Sequence, residues 1–324
     1  MMIYIKSAKQ ISVQPPLSES WLTQPLTPTG DYMRSQDPSF RQWLAPMESR
    51  RLGCLLKRAL VTATEAMDEG GTDQPGAIVT GTGLGCIENT ELLLNLMCRE
   101  GDDTFKPTNF MQSTHNTIGS LIAINRRCHC YNSTYSHKAL SFDCALLDAF
   151  LQMRLGDIST ALVTGNDEMT PSYFKILRRA GYLGQQGQVP ATEASVAMAL
   201  TSEAGGALCS LDEVQIGCLT DNLPAVPQPD AILIGTNGNP ANDGVYDRLL
   251  SHMPPAPLLH YKHVFGEGYS ASALGLYAAA HIVKRGAAPP FMRCDGGAAP
   301  LPVGRLLVVN HSDGVCFSFI TVSS

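Results

Sequence analysis

Two stretches of this 324-residue chain repeat the same order of parts. The first, "ALLDAFLQMRLGD" followed by "TALVTGNDE", is an apolar helix, a basic residue, a glycine and a strand that ends in polar residues. The second, "ALGLYAAAHIVKRGAAP" with "RLLVVNHSDG" beyond a longer connection, has the same order. A repeated supersecondary unit marks a duplicated structure, and the two copies place its junction near Gly205. The helices that begin near Ala139 and Ala271 are almost wholly apolar or small, which leaves neither a face for water. Both are expected to be buried between two sheets. The chain is therefore read as one compact unit with an N-terminal half, 1–204, and a C-terminal half, 205–324.

The remaining pattern is that of an α/β body. "SRRLGCLLKRALVTATEAMDEGG" carries apolar residues at helical spacing, opens on Ser49 and closes on paired glycines, which are helix start and stop signals. "GAIVTGTGLG" reads as a buried strand entering a glycine turn, followed by the helix "NTELLLNLMCRE". A short helix near "NTIGSLIAINR", the strand "YNSTYS" and the strand "ISTALVTG" continue the alternation, which favours sheets with helices packed on them. The first 48 residues, rich in Pro, Ser and Gln after an opening strand "IYIKSA", are expected to wrap the surface.

Bulk properties exclude several functions. Apolar residues are 44% and charged residues 16%, which suits a compact body and argues against extended disorder. A net charge of −6 with scattered Lys and Arg offers no basic stripe to a nucleic-acid backbone. The opening "MMIYIKSAKQI" lacks a long apolar signal core, and the apolar run from Ala271 to Val283 is too short to span a bilayer, so a cytoplasmic location is expected. Ten dispersed cysteines are read as reduced thiols. "CHC" at 128–130 lacks further ligands at metal spacing; no metal and no cofactor are expected.

The segment "YNSTYSHKALSFDCALLDAF" carries the functional question. A strand passes through a turn into a buried helix, the junction where many acyl-transfer enzymes hold a nucleophile, yet the turn contains His137, Lys138 and Ala139. This stretch, with "LGDISTALVTGNDE", "VTGTGLG" and "THNTIGSLIA", resembles the β-ketoacyl synthases of the thiolase superfamily. The resemblance runs from about Ala77 to the end of the chain. It implies a five-layered α-β-α-β-α fold of two pseudo-symmetric halves. Asn132, Thr134 and Ser136 match the family, and His137, Lys138 and Ala139 then stand where Thr, Ala and the nucleophilic Cys would. "LIGTNGNPAND" keeps Asn242 and Asp243 but offers Ile234 or Gly235 where the family has its first histidine. "KHVFGEGYSASALG" keeps Lys262 and Gly266 and puts Glu267 at the second. The family's closing glycine-rich loop is replaced by "NHSDGVCF".

Condensation needs a thiolate to carry the acyl group and histidines to support decarboxylation and stabilise the developing enolate. Ala139 has no atom that can form a thioester, and Glu267 would add negative charge where the reaction develops it. The resemblance thus implies a non-catalytic homologue of the chain-length-factor kind found in aromatic, aryl-polyene and flexirubin pathways. Its partners would be a catalytic β-ketoacyl synthase in a heterodimer, met through an edge strand such as "YNSTYS", and an acyl carrier protein; a homodimer is the alternative state in isolation.

Two other classes compete. An active acyltransferase could use Cys144 or Cys130, but a helix turns about 100° and rises about 1.5 Å per residue, so Cys144 lies roughly 140° around and about 7.5 Å along from Ala139. A nucleotide-binding dehydrogenase is suggested by "GTGLG", whose spacing is one residue short of the dinucleotide fingerprint. His115 either lines an acyl pocket or caps the helix after Asn116. Asn116, Asn310, His137 and Lys138 are further pocket candidates. Burying Lys138 without an anion would be costly, which leads to the expectation that it pairs with Glu267.

Overall fold

A computed structural model of the chain describes residues 1–100, 107–219 and 223–324. Strands β1 (Tyr4–Ile11), β2 (Ala77–Gly81), β3 (Tyr131–Tyr135), β4 (Thr160–Asp167) and β5 (Ala194–Thr201) lie in the order β3-β2-β4-β5-β1. The second half supplies β6 (Cys209–Cys218), β7 (Ala231–Ile234) and β8 (Leu258–His260), a separate ribbon of β9 (Ala287–Ala288) and β10 (Leu301–Pro302), then β11 (Arg305–Ser312) and β12 (Cys316–Ser323). Its main strands run β6-β12-β11-β7-β8.

The two orders are mirror copies. β3, β2 and β4 are parallel and lead to antiparallel β5 and β1. β8, β7 and β11 are parallel and lead to antiparallel β12 and β6. The half-sheets touch through a short antiparallel contact, Tyr4 opposite Ser210 and Ile5 opposite Cys209.

Strand alternation builds the layers. On β2, Ala77 and Val79 face the central core, and Ile78 faces an outer one. On β7, Ala231 and Leu233 face that same central core, and Ile232 and Ile234 face a third. A strand with two apolar faces must be covered on both. Helices do this. After the single turn α1 (Pro46–Ser49) comes α2 (Cys54–Gly70), then α3 (Ile87–Glu100), α4 (Pro107–Ser113) and α5 (Thr117–Arg126). α2 and α5 cover the outside of the first half-sheet. α6 (Ser141–Leu155) is followed by α7 (Pro171–Arg179), α8 (Pro240–Leu250), the single turn α9 (Lys262–Phe265) and α10 (Ala271–Arg285). α8 covers the outside of the second half-sheet. α6 and α10 lie between the half-sheets, α6 against β2, β4 and β6, α10 against β11, β12, β1 and β5. This is the five-layered thiolase-like arrangement that the family resemblance implies.

The repeat's glycines have a local reason. Gly156 ends α6 at φ 83° and Gly286 ends α10 at φ 75°, the left-handed conformation that closes a helix without a Cβ clash. Every residue of α10 from Ala271 to Val283 is buried.

Three expectations change. The long helix of the first half starts at Cys54, with Gly53 as its extended N-cap residue; Ser49 instead ends the single turn α1. The N-terminal segment does more than wrap the surface. β1 stands at the centre of the sheet, and Trp21 is fully buried, 5.2 Å from the ring of Phe265 and 6.0 Å from Tyr277. Helix α6 begins at Ser141 and not at Ala139, because Ala139 and Leu140 belong to a 3-10 turn over Lys138–Leu140 and Leu140, at φ −103° and ψ 9°, is the non-helical N-cap residue.

Candidate active-site cavity

The turn between β3 and α6 is pinned by its own side chains. His137 N donates to Ser141 Oγ at 2.8 Å, Ser141 Oγ donates to Lys138 O at 2.7 Å, and Leu140 N donates to His137 O at 3.0 Å. From β11, Asn310 Nδ2 donates to Ala139 O at 3.1 Å, and Tyr246 Oη donates to Asn310 Oδ1 at 3.3 Å. Asn310 therefore braces the turn from behind. Ala139 borders a cavity of about 690 Å³, and Lys138 stands at its rim.

The matching turn of the second half, between β8 and α10, supplies the opposite wall. Glu267 Oε2 accepts from Lys262 Nζ at 2.7 Å and from Asn237 Nδ2 at 2.7 Å; Oε1 accepts from Gly268 N at 3.0 Å. Lys262 and Glu267 are both buried. A buried charge is tolerated when it is paired and hydrogen-bonded, and each of these has that. The carboxylate is fully engaged by an ammonium, an amide and a backbone N–H, so it is no free base.

Gly235 lies behind this wall, outside the cavity lining. A Cβ there would fall 2.5 Å from Tyr246 Oη, 2.7 Å from Tyr261 Oη and 2.9 Å from Lys262 Cε. No histidine fits at this position. Its neighbour Ile234 is buried in an outer core. Burial raises both tyrosine hydroxyls well above their ordinary range, which keeps them neutral.

The hairpin between β11 and β12 completes the rim with His311, Asp313 and Gly314. His311 is buried, and desolvation with the nearby Lys262 lowers its pKa to about 4. Gly314 N approaches Nδ1 at 3.4 Å and Nε2 stands 3.1 Å from Asn242 O, a set of partners that fits the neutral imidazole with its proton on Nε2. Tyr173, Tyr182, Tyr269, Asn239 and Val245 line the remainder.

The expected Lys138–Glu267 pair does not form. Lys138 Nζ pairs with Asp313 Oδ2 at 2.5 Å, with side chains 68% and 43% exposed, so Lys138 has no burial to compensate. Lys262 is the buried lysine that takes the carboxylate.

The other candidates lie elsewhere. His137 and Asn116 are exposed, and neither borders the cavity. His115 packs over Gly85, away from the cavity, and the helix that follows starts with Thr114 Oγ1 and Thr117 Oγ1 2.9 Å apart and no side-chain cap from Asn116. Among the described residues no cysteine lines the cavity. Cys144 is half-buried one turn into α6, where burial, Asp143 and Cys316 push its thiol up to about 11. Cys130 sits at the start of β3, also half-buried, with its thiol raised by burial. Neither thiol is poised as a thiolate. No group of three or more potential metal ligands occurs among the described residues, and no described helix is long and apolar enough to cross a membrane.

The glycine turn after β2 has an internal occupant. Asp167 Oδ1 accepts from Gly83 N at 2.8 Å, Leu84 N at 2.7 Å and Thr82 Oγ1 at 3.0 Å. Those amides hold a carboxylate of the chain itself, where a dinucleotide fold would offer them to phosphate.

Sequence reasoning missed His311, Asn237 and the three tyrosines. His311 was visible inside the replaced loop "NHSDG", and Asn237 between two glycines of "GTNGN". The tyrosines had no signal, because they come from three separate segments.

The family model described as β-ketoacyl synthase, N-terminal domain, matches residues 21–225. No curated protein sequence matches the chain. Among solved structures, the ishigamide ketosynthase/chain length factor is similar with a TM-score of 0.79 and 16% identity, covering 100% of this chain and 99% of that one. A β-ketoacyl synthase from Burkholderia phymatum STM815 is similar at 0.77 and 12%, covering 99% of each chain. The ketosynthase ApeO in complex with its chain length factor ApeC, from Xenorhabdus doucetiae, is similar at 0.75 and 12%, covering 99% of this chain and 98% of that one. These likenesses concern the fold. With the family model spanning well over half of its residues, the chain belongs to the β-ketoacyl synthase family.

Proposed function

We propose that this chain is a non-catalytic β-ketoacyl synthase homologue, a chain-length-factor-type subunit that pairs with an active ketosynthase in polyketide or fatty-acid-type assembly, with aryl-polyene synthesis as the specific setting. One observation carries the reading: the cavity is walled by Ala139 and by the Lys262–Glu267–Asn237 network, with no thiol on its lining among the described residues. Such a wall can shape an acyl chain but cannot bond to it. The halves 1–204 and 205–324 act in this as one unit.

A partner surface supports the same reading. β3 is the first strand of the sheet, and an unpaired strand edge invites pairing with another chain. Tyr131 on β3 itself and Leu151 on α6, the helix that packs against β3, are exposed. Carrier protein is the transient partner, delivering the chain that the cavity receives.

The test is intact-protein mass spectrometry after incubation with a reactive acyl thioester, with co-purification against a catalytic β-ketoacyl synthase from the same cell. The expected result is no stoichiometric adduct and a stable complex. A single acylated cysteine, at Cys130 or Cys144, would make the protein an active acyltransferase instead; failure of the complex to form with a homodimer in its place would remove the subunit role.

A further inference from the structure

Three cysteines gather where β6 ends and β12 begins. Cys218 and Cys316 stand directly opposite each other in the antiparallel register, Sγ to Sγ 3.8 Å. Leu219 N donates to Val315 O at 2.8 Å, which makes 219/315 a hydrogen-bonded pair and 218/316 the adjacent non-hydrogen-bonded pair. In that kind of pair the Cα atoms approach to about 4.5 Å and the side chains come nearest, within the span that a disulfide bridges. Both side chains leave the face toward α6: Ile320 and Val322, in the same alternation as Cys316, belong to the central core, and Ser318 Oγ donates to Asp143 Oδ1 at 2.6 Å. Cys218 is exposed and Cys316 half-buried. The third thiol, Cys144, is beside Cys316 but is held protonated by burial and by Asp143, so it is a poor competitor.

The position gives the pair a consequence. Ser312 and Cys316 are the last paired residues of the β11–β12 hairpin, and that hairpin carries His311, Asp313 and Gly314 to the cavity rim. Beyond this register the tip reaches outward, with Val315 61% exposed.

We propose that Cys218 and Cys316 form a reversible disulfide by exchange with a small-molecule disulfide of the glutathione class, and that closing it fastens the cavity-rim hairpin to β6. The exposed Cys218 thiolate attacks one sulfur of the oxidant, whose S–S bond breaks and releases one thiolate. The Cys316 thiolate then attacks Cys218 Sγ in the mixed disulfide and expels the second. One S–S bond forms in the protein and one is lost from the oxidant. Two electrons pass to the oxidant, and the two protons given up by the cysteines end on its two released thiols. This inference is independent of whether the chain condenses acyl groups.

The full chain is equilibrated in glutathione buffers of defined oxidised-to-reduced ratio, quenched in acid, alkylated with iodoacetamide and mapped by mass spectrometry. The expected product lacks two alkylations and yields a cross-linked peptide pair containing Cys218 and Cys316. Cys218→Ser and Cys316→Ser each abolish it, and Cys144→Ser leaves it unchanged. Amide exchange over residues 312–316 slows by about tenfold in the oxidised form, as expected when local opening is restrained. A glutathione adduct that persists on Cys218 with Cys316 still alkylated, a cross-link between other cysteines, or all ten thiols alkylated in fully oxidised buffer would each overturn the disulfide. Equal exchange in the two forms would overturn the fastening.

Discussion

Lys262 and Glu267 meet as an ion pair 2.7 Å apart in the wall of the cavity, with side chains only 5% and 12% exposed. The acid's cation thus lies within the same short turn of chain. Removing one partner strands the other in a poorly solvated site. Glu267→Ala is expected to cost about 3–5 kcal/mol, read as a lower urea midpoint at unchanged slope. Replacing both partners, as in Lys262→Met with Glu267→Leu, recovers most of that loss.

Gly235 is as constrained as the pair in front of it. Its missing Cβ would meet two tyrosine hydroxyls and the Lys262 stem, so Gly235→Ala overpacks the core and lowers stability by about 1–3 kcal/mol. Gly235→His, a far larger side chain, fails to give soluble protein. Thermal unfolding of the alanine variant and expression of the histidine variant check the two statements.

His311 makes stability depend on pH with a definite sign. Its pKa in the folded chain is about 4, against about 6.5 when unfolded. Between these values the unfolded chain binds more protons, so stability falls as pH drops from about 6.5 to about 4 and is indifferent to this residue above about 7. The full effect is about 3 kcal/mol. His260, lowered to about 4 by burial and by His263, adds a slope of the same sign. The measurement is therefore a difference: urea unfolding of wild type and His311→Gln at pH values near 7.5 and near 4, with the variant losing less on acidification.

The exposed Lys138–Asp313 pair should behave oppositely to the buried one. Screened by solvent, such pairs contribute about 0–1 kcal/mol, so Lys138→Ala leaves the unfolding midpoint nearly unchanged. A loss comparable to that of Glu267→Ala would show that the turn depends on the pair.

Ala139→Cys restores a thiol to the cavity without restoring the reaction. The new side chain should take up iodoacetamide, because Ala139 borders open space. If the proposed non-catalytic role holds, condensation of an acyl thioester with malonyl carrier protein remains undetectable in this variant.

The sequence was informative where a pattern is local. The repeat around Gly156 and Gly286, the apolar run of α10 and the alanine at 139 each reflect a single stretch of chain, and from them follow the fold and the place of Ala139 at the cavity. Pairing across the fold was harder to read. Lys138 was matched to Glu267 because both border the same cavity, yet Lys262 is five residues from Glu267 and reaches it first. The role of residues 4–22 was hidden because a polar strand such as "YIKSAKQI" draws its burial from neighbours far away in sequence; Ser7 and Gln10 are fully buried there. The tyrosines of the cavity come from α7, the loop after it and the turn before α10, and no spacing joins them.

The place of β1 at the middle of the sheet sets the schedule of biosynthesis. Tyr4 pairs with Thr201, about 200 residues later in the chain, and translation at about 5–20 residues per second separates the two by roughly 10–40 s. During that interval Ile5, Ile11 and Trp21 lack the strands and rings that bury them in the finished molecule. A nascent chain of this design therefore carries Ile5, Ile11 and Trp21 without their final neighbours until β5 and the later rings are made, and depletion of ribosome-associated chaperones should lower its soluble yield long before it alters the stability of the folded protein.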